Sequence, residues 1–274
     1  MMNVLNKAKS AARRLRGIGE YYFQQRPYML QQIKMLQLKK TSQTAFLIAT
    51  GPSVKRQNLA LLSGQDCFTI SNAYLHGDIA DINPLVHGFA EYHQPMDRGN
   101  YIQWLQHASA TLPHNTSIYT TTSNKGIVAE SGIGAHRDVI FGQYDMVARY
   151  LWPKCGEYLY LPPQSGPLLM LPMLISMGYK RICLVGCDHT TLRNYGGSIA
   201  NFYDVASDMR KHATDPSVWT NIISHLEADI VLFKQYEMYA RWCAYLGVKI
   251  VNLSDDSWLR AFSFSTIEAE VGHR

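Results

Sequence analysis

The segment Phe46-Leu47-Ile48-Ala49-Thr50-Gly51-Pro52-Ser53 does most to limit what this chain can fold into. A short apolar run ends in a turn of small residues, and a polar, helix-compatible stretch follows. That order reads as a first β-strand, a phosphate-facing loop and a helix of an α/β nucleotide-binding domain. Gly51 lets a ligand approach the backbone. Pro52 suits a first helical turn, where its missing N–H costs nothing. The free amides behind it form an anion site.

The same grammar returns later. Ser165-Gly166-Pro167 opens an apolar helix over 167–177, Gly178 ends it, and Arg181–Gly186 follows as a buried strand. With a strand predicted over Tyr158–Leu161, this is a βαβ unit, which implies parallel strands covered on both faces. Pro172 is expected to kink the helix. Further strands are predicted over 45–50, 67–71, 85–89, 117–121 and 248–253, and helices over 52–62, 101–109 and 139–151. Residues 122–137, rich in Ser, Gly and Asn, read as a loop, and 189–222 as a lid. Ser224-His225-Leu226-Glu227 fits a capping box with Ser224 as N-cap. Leu232, Tyr236, Tyr239, Cys243 and Leu246 then mark one helix face, closed by Gly247. The expected fold is α/β: a Rossmann-like, mostly parallel sheet flanked by helices in a single nucleotide-binding domain (41–274), with lid segments.

Charge is uneven. Residues 1–40 hold nine basic residues and one acid, Glu20, so they carry +8 of a total of +5, and the body is slightly acidic. That argues against a nucleic-acid-binding core. It makes 1–40 a basic, partly helical arm that attaches to an anionic membrane surface or packs on the body, with RNA binding a third, weaker reading. The five cysteines are scattered through apolar runs and read as buried thiols of a reducing compartment. No apolar run reaches the length of about 18 residues that a spanning helix needs. A cytoplasmic chain, peripheral at most, is expected.

In open parallel sheets, ligands bind beyond the carboxyl ends of the strands. The polar residues predicted there are Thr50, Gly51 and Ser53 after the first strand, Ser71 and Asn72 after the second, Gln164, Ser165 and Gly166 before the central helix, and Asp188, His189 and Thr190 after the Arg181–Gly186 strand. His225 joins them at the mouth of the last helix. At the first helical position it would face the positive end of the helix dipole and stay neutral, the form a general base needs. His93 and His189 are rival histidines. There is no D-x-D pair, H-E-x-x-H, G-x-S-x-G or Walker lysine. Metal-dependent sugar transfer, zinc or serine hydrolysis and P-loop phosphoryl transfer therefore lose ground.

In this order the blocks A-T-G-P-S-V, I-S-N-A-Y, Q-S-G-P with G-Y-K-R-I-C-L-V-G-C-D, and I-S-H-L-E-A-D with V-K-I-V-N-L-S resemble the bacterial sialyltransferases of glycosyltransferase family 42 and the motility-accessory-factor-related transferases. The likeness runs over about residues 45–262. It implies a GT-A-like domain and inverting, metal-independent transfer of a sialic or related nonulosonic acid from a CMP-sugar to a glycan or lipid-linked acceptor, such as lipopolysaccharide or capsule. It needs no cofactor beyond the donor, and the enzyme could be a homo-oligomer. It puts His225 at the catalytic base, Asn72 and Ser165 on the donor sugar, and Gly51 and Ser53 in the nucleotide loop. Tyr195 falls near a tyrosine that steadies the leaving phosphate. Thr50 stands where the family has Asn, Thr190 where it has a phosphate-facing tyrosine, and Pro162 where some members have arginine. Two other readings stay open: a pterin-type pyrophosphokinase, and a non-catalytic nucleotide- or glycan-binding module.

Overall fold

The computed structural model describes residues 26–94, 96–142, 162–197, 200–210 and 221–272. The strand predicted over 158–161 lies outside them, as does most of the basic arm; of the arm, helix α1 (Arg26–Gln37) is described.

The described strands form one sheet: β1 (Thr44–Ile48), β2 (Asp66–Ile70), β3 (Val86–Gly88), β4 (Ser117–Thr121), β5 (Val139–Gly142), β6 (Arg181–Val185), β7 (Lys249–Asn252) and β8 (Ser263–Phe264). Their order is β5-β4-β3-β2-β1-β6-β7-β8, and every neighbouring pair is parallel. The sheet is thus wholly, rather than mostly, parallel among the described residues. The chain winds outward from β1 to β5, then returns beside β1 and winds the other way. The switch point lies between β1 and β6, where open α/β sheets hold their ligands.

Alternation along the strands builds two cores. Ala45 and Leu47 of β1 join Ile182 and Leu184 of β6 on one face, with Leu168, Leu171 and Leu174 of α5 (Gly166–Ser176) and Tyr236, Tyr239 and Trp242 of α6 (Ile222–Leu246). Phe46, Ile48, Cys183 and Val185 point the other way. There they meet Tyr101, Trp104 and Leu105 of α3 (Arg98–Thr111), Ile127 and Val128 of α4 (Lys125–Ser131) and Ile267 of α7 (Ile267–Val271). A short helix, α2 (Ile79–Ile82), lies after β2. Burial on both faces is why these strands read as unbroken apolar runs. The four described cysteines, Cys67, Cys183, Cys187 and Cys243, are buried thiols.

Several expectations need correcting. Residues 52–62 form two 3-10 turns, Pro52–Arg56 and Leu59–Leu62, because the chain turns extended at Gln57. The stretch 122–137 is not a loop: buried Ile127 and Val128 anchor α4, and Gly132, at φ 72°, ends it in the left-handed conformation that glycine adopts freely. Residues 139–142 are an edge strand, not a helix start; 143–151 lie outside the described residues. Pro172 lies inside helix α5, as expected. The N-cap of α6 is Asn221, whose Oδ1 accepts from the amides of Ile223 (3.0 Å) and Ser224 (3.5 Å). Ser224 is therefore inside the helix, and His225 is its fourth residue rather than its first. The dipole argument for His225 weakens accordingly, since the effect is strongest at the first turn's free amides.

Candidate functional site

At the switch point the ends of β1 and β6 are sewn together. Ala49 N donates to Val185 O (2.8 Å) and Gly51 N to Gly186 O (2.8 Å). Asp188 then reaches across: its Oδ2 accepts from Ser53 N (2.7 Å) and its Oδ1 from Ser53 Oγ (2.5 Å). Ser53 is fully buried and Asp188 is 2% exposed. Burial raises the Asp188 carboxyl above its ordinary value, while the Ser53 hydrogen bonds pull it back down. The contact leaves no room for a side chain at 51, where a Cβ would sit 2.5 Å from Gly186 O and 2.6 Å from Asp188 Cγ. Behind Asp188, the turn after β7 acts as a buttress. Ser254 Oγ accepts from Cys187 N (2.8 Å), Ser257 Oγ donates to Cys187 O (2.7 Å), and Trp258 N donates to Asp188 O (2.9 Å).

Above this floor lies a cavity of about 280 Å³. That is close to the lower end of the roughly 300–1,000 Å³ that small-molecule sites span. Thr50, Gly51, Gly186, Asp188, His189 and Thr190 line it from β1 and β6. Ser71 and Gly88 line it from β2 and β3, and Ser165, Gly166 and Pro167 from the start of α5. Among described non-glycine residues, positive φ occurs at Ser71 (55°), Asn83 (52°) and His189 (50°); two of these three line the cavity. Such backbone costs of order 1–3 kcal/mol each and clusters at ligand sites.

The wall at α5 is formed by a helix N-terminus. Ser165 is the N-cap residue, but its hydroxyl makes no capping bond. It lies instead 3.1 Å from Tyr236 Oη, which is 2.8 Å from His189 Nε2. The N-terminus of an eleven-residue helix, uncapped by that side chain, thus lies on the cavity, with Gly166 as its lining amide since Pro167 has none. Burial holds the His189 ring near a pKa of about 4, so it is neutral at pH 7.

The opposite wall holds a residue that sequence reading missed. Arg210 is the one lysine or arginine among the described lining residues. It grips Asp208 in two places (Nε–Oδ1 2.9 Å, Nη2–Oδ2 2.7 Å), donates to Tyr203 Oη (2.6 Å) and lies over the Trp104 ring at 5.4 Å. Burial alone would raise Asp208, but Arg210 outweighs it and holds the carboxyl below its ordinary value. Trp104 Nε1 donates to Asn72 Oδ1 (2.6 Å), so Asn72 is buried behind the wall rather than on it. Trp104 and Arg210 come from a helix and an irregular segment far from any motif; no local pattern announces them.

Of the residues singled out from sequence, Thr50, Gly51, Ser165, Gly166, Asp188 and Thr190 share the cavity. Ser53 and Asn72 lie directly behind it. Tyr195 and His225 are not in its lining. They stand together, ring centroids 6.3 Å apart and edge to face. Tyr195 follows the turn Thr191–Asn194, whose first residue lines the cavity. The rivals His93 and His189 both line it, as does Glu91. Of the expected lid, residues 200 and 201 lie on the cavity, and Phe202 N donates to Thr50 O (3.2 Å). Among the described residues, no group of three or more His, Cys, Asp and Glu side chains is placed to hold a metal ion, and no helix is long and apolar enough to cross a membrane.

No family model matches the chain, and no curated protein does. Solved structures do. The monofunctional alpha-2,3-sialyltransferase Cst-I from Campylobacter jejuni aligns at 17% identity and a TM-score of 0.52, covering 83% of this chain and 82% of that one. An alpha-2,3-sialyltransferase from Campylobacter jejuni in apo form aligns at 17% identity and a TM-score of 0.50 over the same shares. A variant of the sialyltransferase CST-II in complex with CMP aligns at 18% identity and a TM-score of 0.50, covering 80% of this chain and 85% of that one. Across those shares, the chain has the fold of these sialyltransferases.

Proposed function

We propose that the chain is an inverting, metal-independent glycosyltransferase that moves a sialic or related nonulosonic acid from a CMP-sugar to a glycan hydroxyl. The observation that carries this reading is the cavity at the switch point. It pairs a backbone-defined floor (Thr50, Gly51, Asp188) with an uncapped helix N-terminus at Ser165–Gly166. The floor suits a nucleoside and the helix an anionic sugar or phosphate. The fold likeness to a CMP-bound sialyltransferase supports the same choice.

In this mechanism the acceptor hydroxyl attacks the anomeric carbon as the bond to the phosphate oxygen of CMP breaks, and one in-line displacement inverts that centre. His225 takes the hydroxyl proton. The Tyr195 hydroxyl holds the charge that develops on the leaving phosphate, while the donor carboxylate meets Ser165 at the start of α5. The described parts of the 189–222 lid, 189–197 and 200–210, close over the donor and exclude water, so transfer outruns hydrolysis. The basic arm keeps the enzyme near a lipid-linked acceptor at an anionic membrane face.

A thermal-shift screen of cytidine, uridine, guanosine and adenosine nucleotides, with and without EDTA, tests the reading. Stabilisation by CMP or CDP alone, unchanged by EDTA, is the expected result. Stabilisation only by ATP with magnesium would replace it with phosphoryl transfer, and tight CMP-sugar binding without turnover would leave a binding module.

A further inference from the structure

Tyr236 is fully buried, and its hydroxyl joins two residues that line the cavity from different elements: Ser165 Oγ at 3.1 Å and His189 Nε2 at 2.8 Å. A phenol has one proton, so it donates to one of these partners and accepts from the other. The two possible directions give Ser165 opposite roles. If Tyr236 donates to His189, then Ser165 donates to Tyr236 and offers the cavity only lone pairs. If His189 Nε2–H donates to Tyr236, then Tyr236 donates to Ser165, and the Ser165 proton is released toward the cavity. An anionic group seated at the α5 N-terminus accepts hydrogen bonds and cannot give them. It therefore selects the second direction throughout the chain.

We infer that His189 and Tyr236 are positioning residues that aim the Ser165 proton at an anionic group of the substrate, a carboxylate on the donor sugar. This rests on the CMP-sugar reading above and adds to it the two residues that set the polarity of the sugar subsite. Three features fit the role. Ser165 occupies an N-cap position yet leaves the cap unmade, its hydroxyl turned to Tyr236 instead. His189 is held at φ 50°, a conformation that costs a non-glycine residue energy and here brings its ring to Tyr236. Burial keeps the ring neutral, with one N–H to give and no charge to attract a counter-ion.

The test measures affinity for CMP and for CMP-sialic acid in wild type and in Ser165→Ala, Tyr236→Phe, His189→Leu and His189→Gln. Leucine and glutamine carry a similar backbone cost at 189, so the difference between them reads the hydrogen bond. Glutamine can still donate an N–H to Tyr236. Ser165→Ala, Tyr236→Phe and His189→Leu should each weaken CMP-sialic acid about tenfold, the worth of one hydrogen bond to a charged group. His189→Gln should recover most of that loss, and CMP itself should bind all variants alike. The Ser165→Ala/Tyr236→Phe double variant should be no weaker than Ser165→Ala, because both remove one interaction. Wild-type affinity for CMP-sialic acid in Tyr236→Phe or His189→Leu, or fully additive losses, would overturn the inference.

The donor reading fails by a different result, a wild-type protein that binds neither ligand. The relay is then decided with acetate as the carboxylate probe, in the nitrogen spectrum of labelled histidine. An Nε2–H of His189 whose shift changes in Tyr236→Phe supports it, and a bare Nε2 overturns it.

Discussion

The floor of the cavity and the Tyr195–His225 pair are built in opposite ways. The floor is buried backbone: Ser53 and Asp188 are closed off from solvent, and the strand ends that carry them are bonded directly to one another. Tyr195 is 42% exposed and His225 half-buried, on an irregular segment and on the first turns of a helix whose apolar face is buried only from Leu232 onward. A nucleotide presents the same shape at every turnover, so a rigid floor suits it. The pair proposed to handle an incoming acceptor and a departing phosphate is, by contrast, open to solvent.

The sharpest way to break that contrast is to remove His225. His225→Ala should lower transfer by about 10²–10⁴, the range for a lost general base, or about 3–5 kcal/mol of barrier. CMP affinity and the unfolding midpoint should stay at wild-type values. Single-turnover kinetics beside a melting curve reads both. Intact transfer would hand the proton to His93 or His189, which line the cavity, and a fallen midpoint would put His225 in the framework with the floor.

Gly51→Ala asks the converse of the floor. Its Cβ would meet Gly186 O at 2.5 Å and Asp188 Cγ at 2.6 Å, and neither is the free end of a flexible chain. Overpacking of this kind costs about 1–3 kcal/mol, and backbone on one side puts it at the upper end. Urea titration should show that loss together with weaker CMP binding. Wild-type stability would mean that the β1–β6 seam is looser than its hydrogen bonds imply.

Asp188→Asn is smaller. It keeps one acceptor for Ser53 and loses the other, which costs about 1–3 kcal/mol. Its pH dependence carries the information. Burial raises the folded carboxyl above 3.8, so the folded chain holds that proton more tightly than the unfolded one. Wild-type stability therefore falls as pH climbs from 3.8 through the folded pKa. Asparagine has no such loss, so the gap between the two proteins should narrow over that rise in equilibrium melts. A gap that widens would mean that the Ser53 hydrogen bonds and the nearby positive charge of Arg56 favour the ionised carboxylate after all.

The same contrast explains what could be read from sequence. The floor is local: an apolar run, a small-residue turn and an acid directly after a buried strand place Gly51 and Asp188 without knowledge of the rest of the fold. The start of α5 was legible for the same reason, since Ser165-Gly166-Pro167 carries its own boundary signal. Where signals competed, they misled. Ser224 and Glu227 match a capping box, but Asn221 lies three residues earlier and takes the cap, moving His225 one turn into the helix. Residues 122–137 have loop composition, yet Ile127 and Val128 find a core to enter. Arg210, Trp104 and the Tyr236 hydroxyl gain their meaning only from tertiary neighbours, so no spacing rule could nominate them.

The smallest expected effect sharpens the comparison most finely. Arg193 sits in the turn that leads to Tyr195, bonds Asp256 (2.5 Å) and lies over the Trp258 ring at 5.7 Å. The ion pair is exposed and open to salt. Arg193→Ala should leave the unfolding midpoint unchanged within error, because the floor does not depend on it. Turnover should fall less than about tenfold, as the turn loses the contacts that set where Tyr195 stands. Raising the salt should slow the wild type in the same direction and the variant less, since the interaction being screened is already gone. A lowered midpoint with unchanged turnover would reverse the assignment: Trp258 also holds Asp188 through its backbone amide, and Arg193 would then be bracing the floor through that ring.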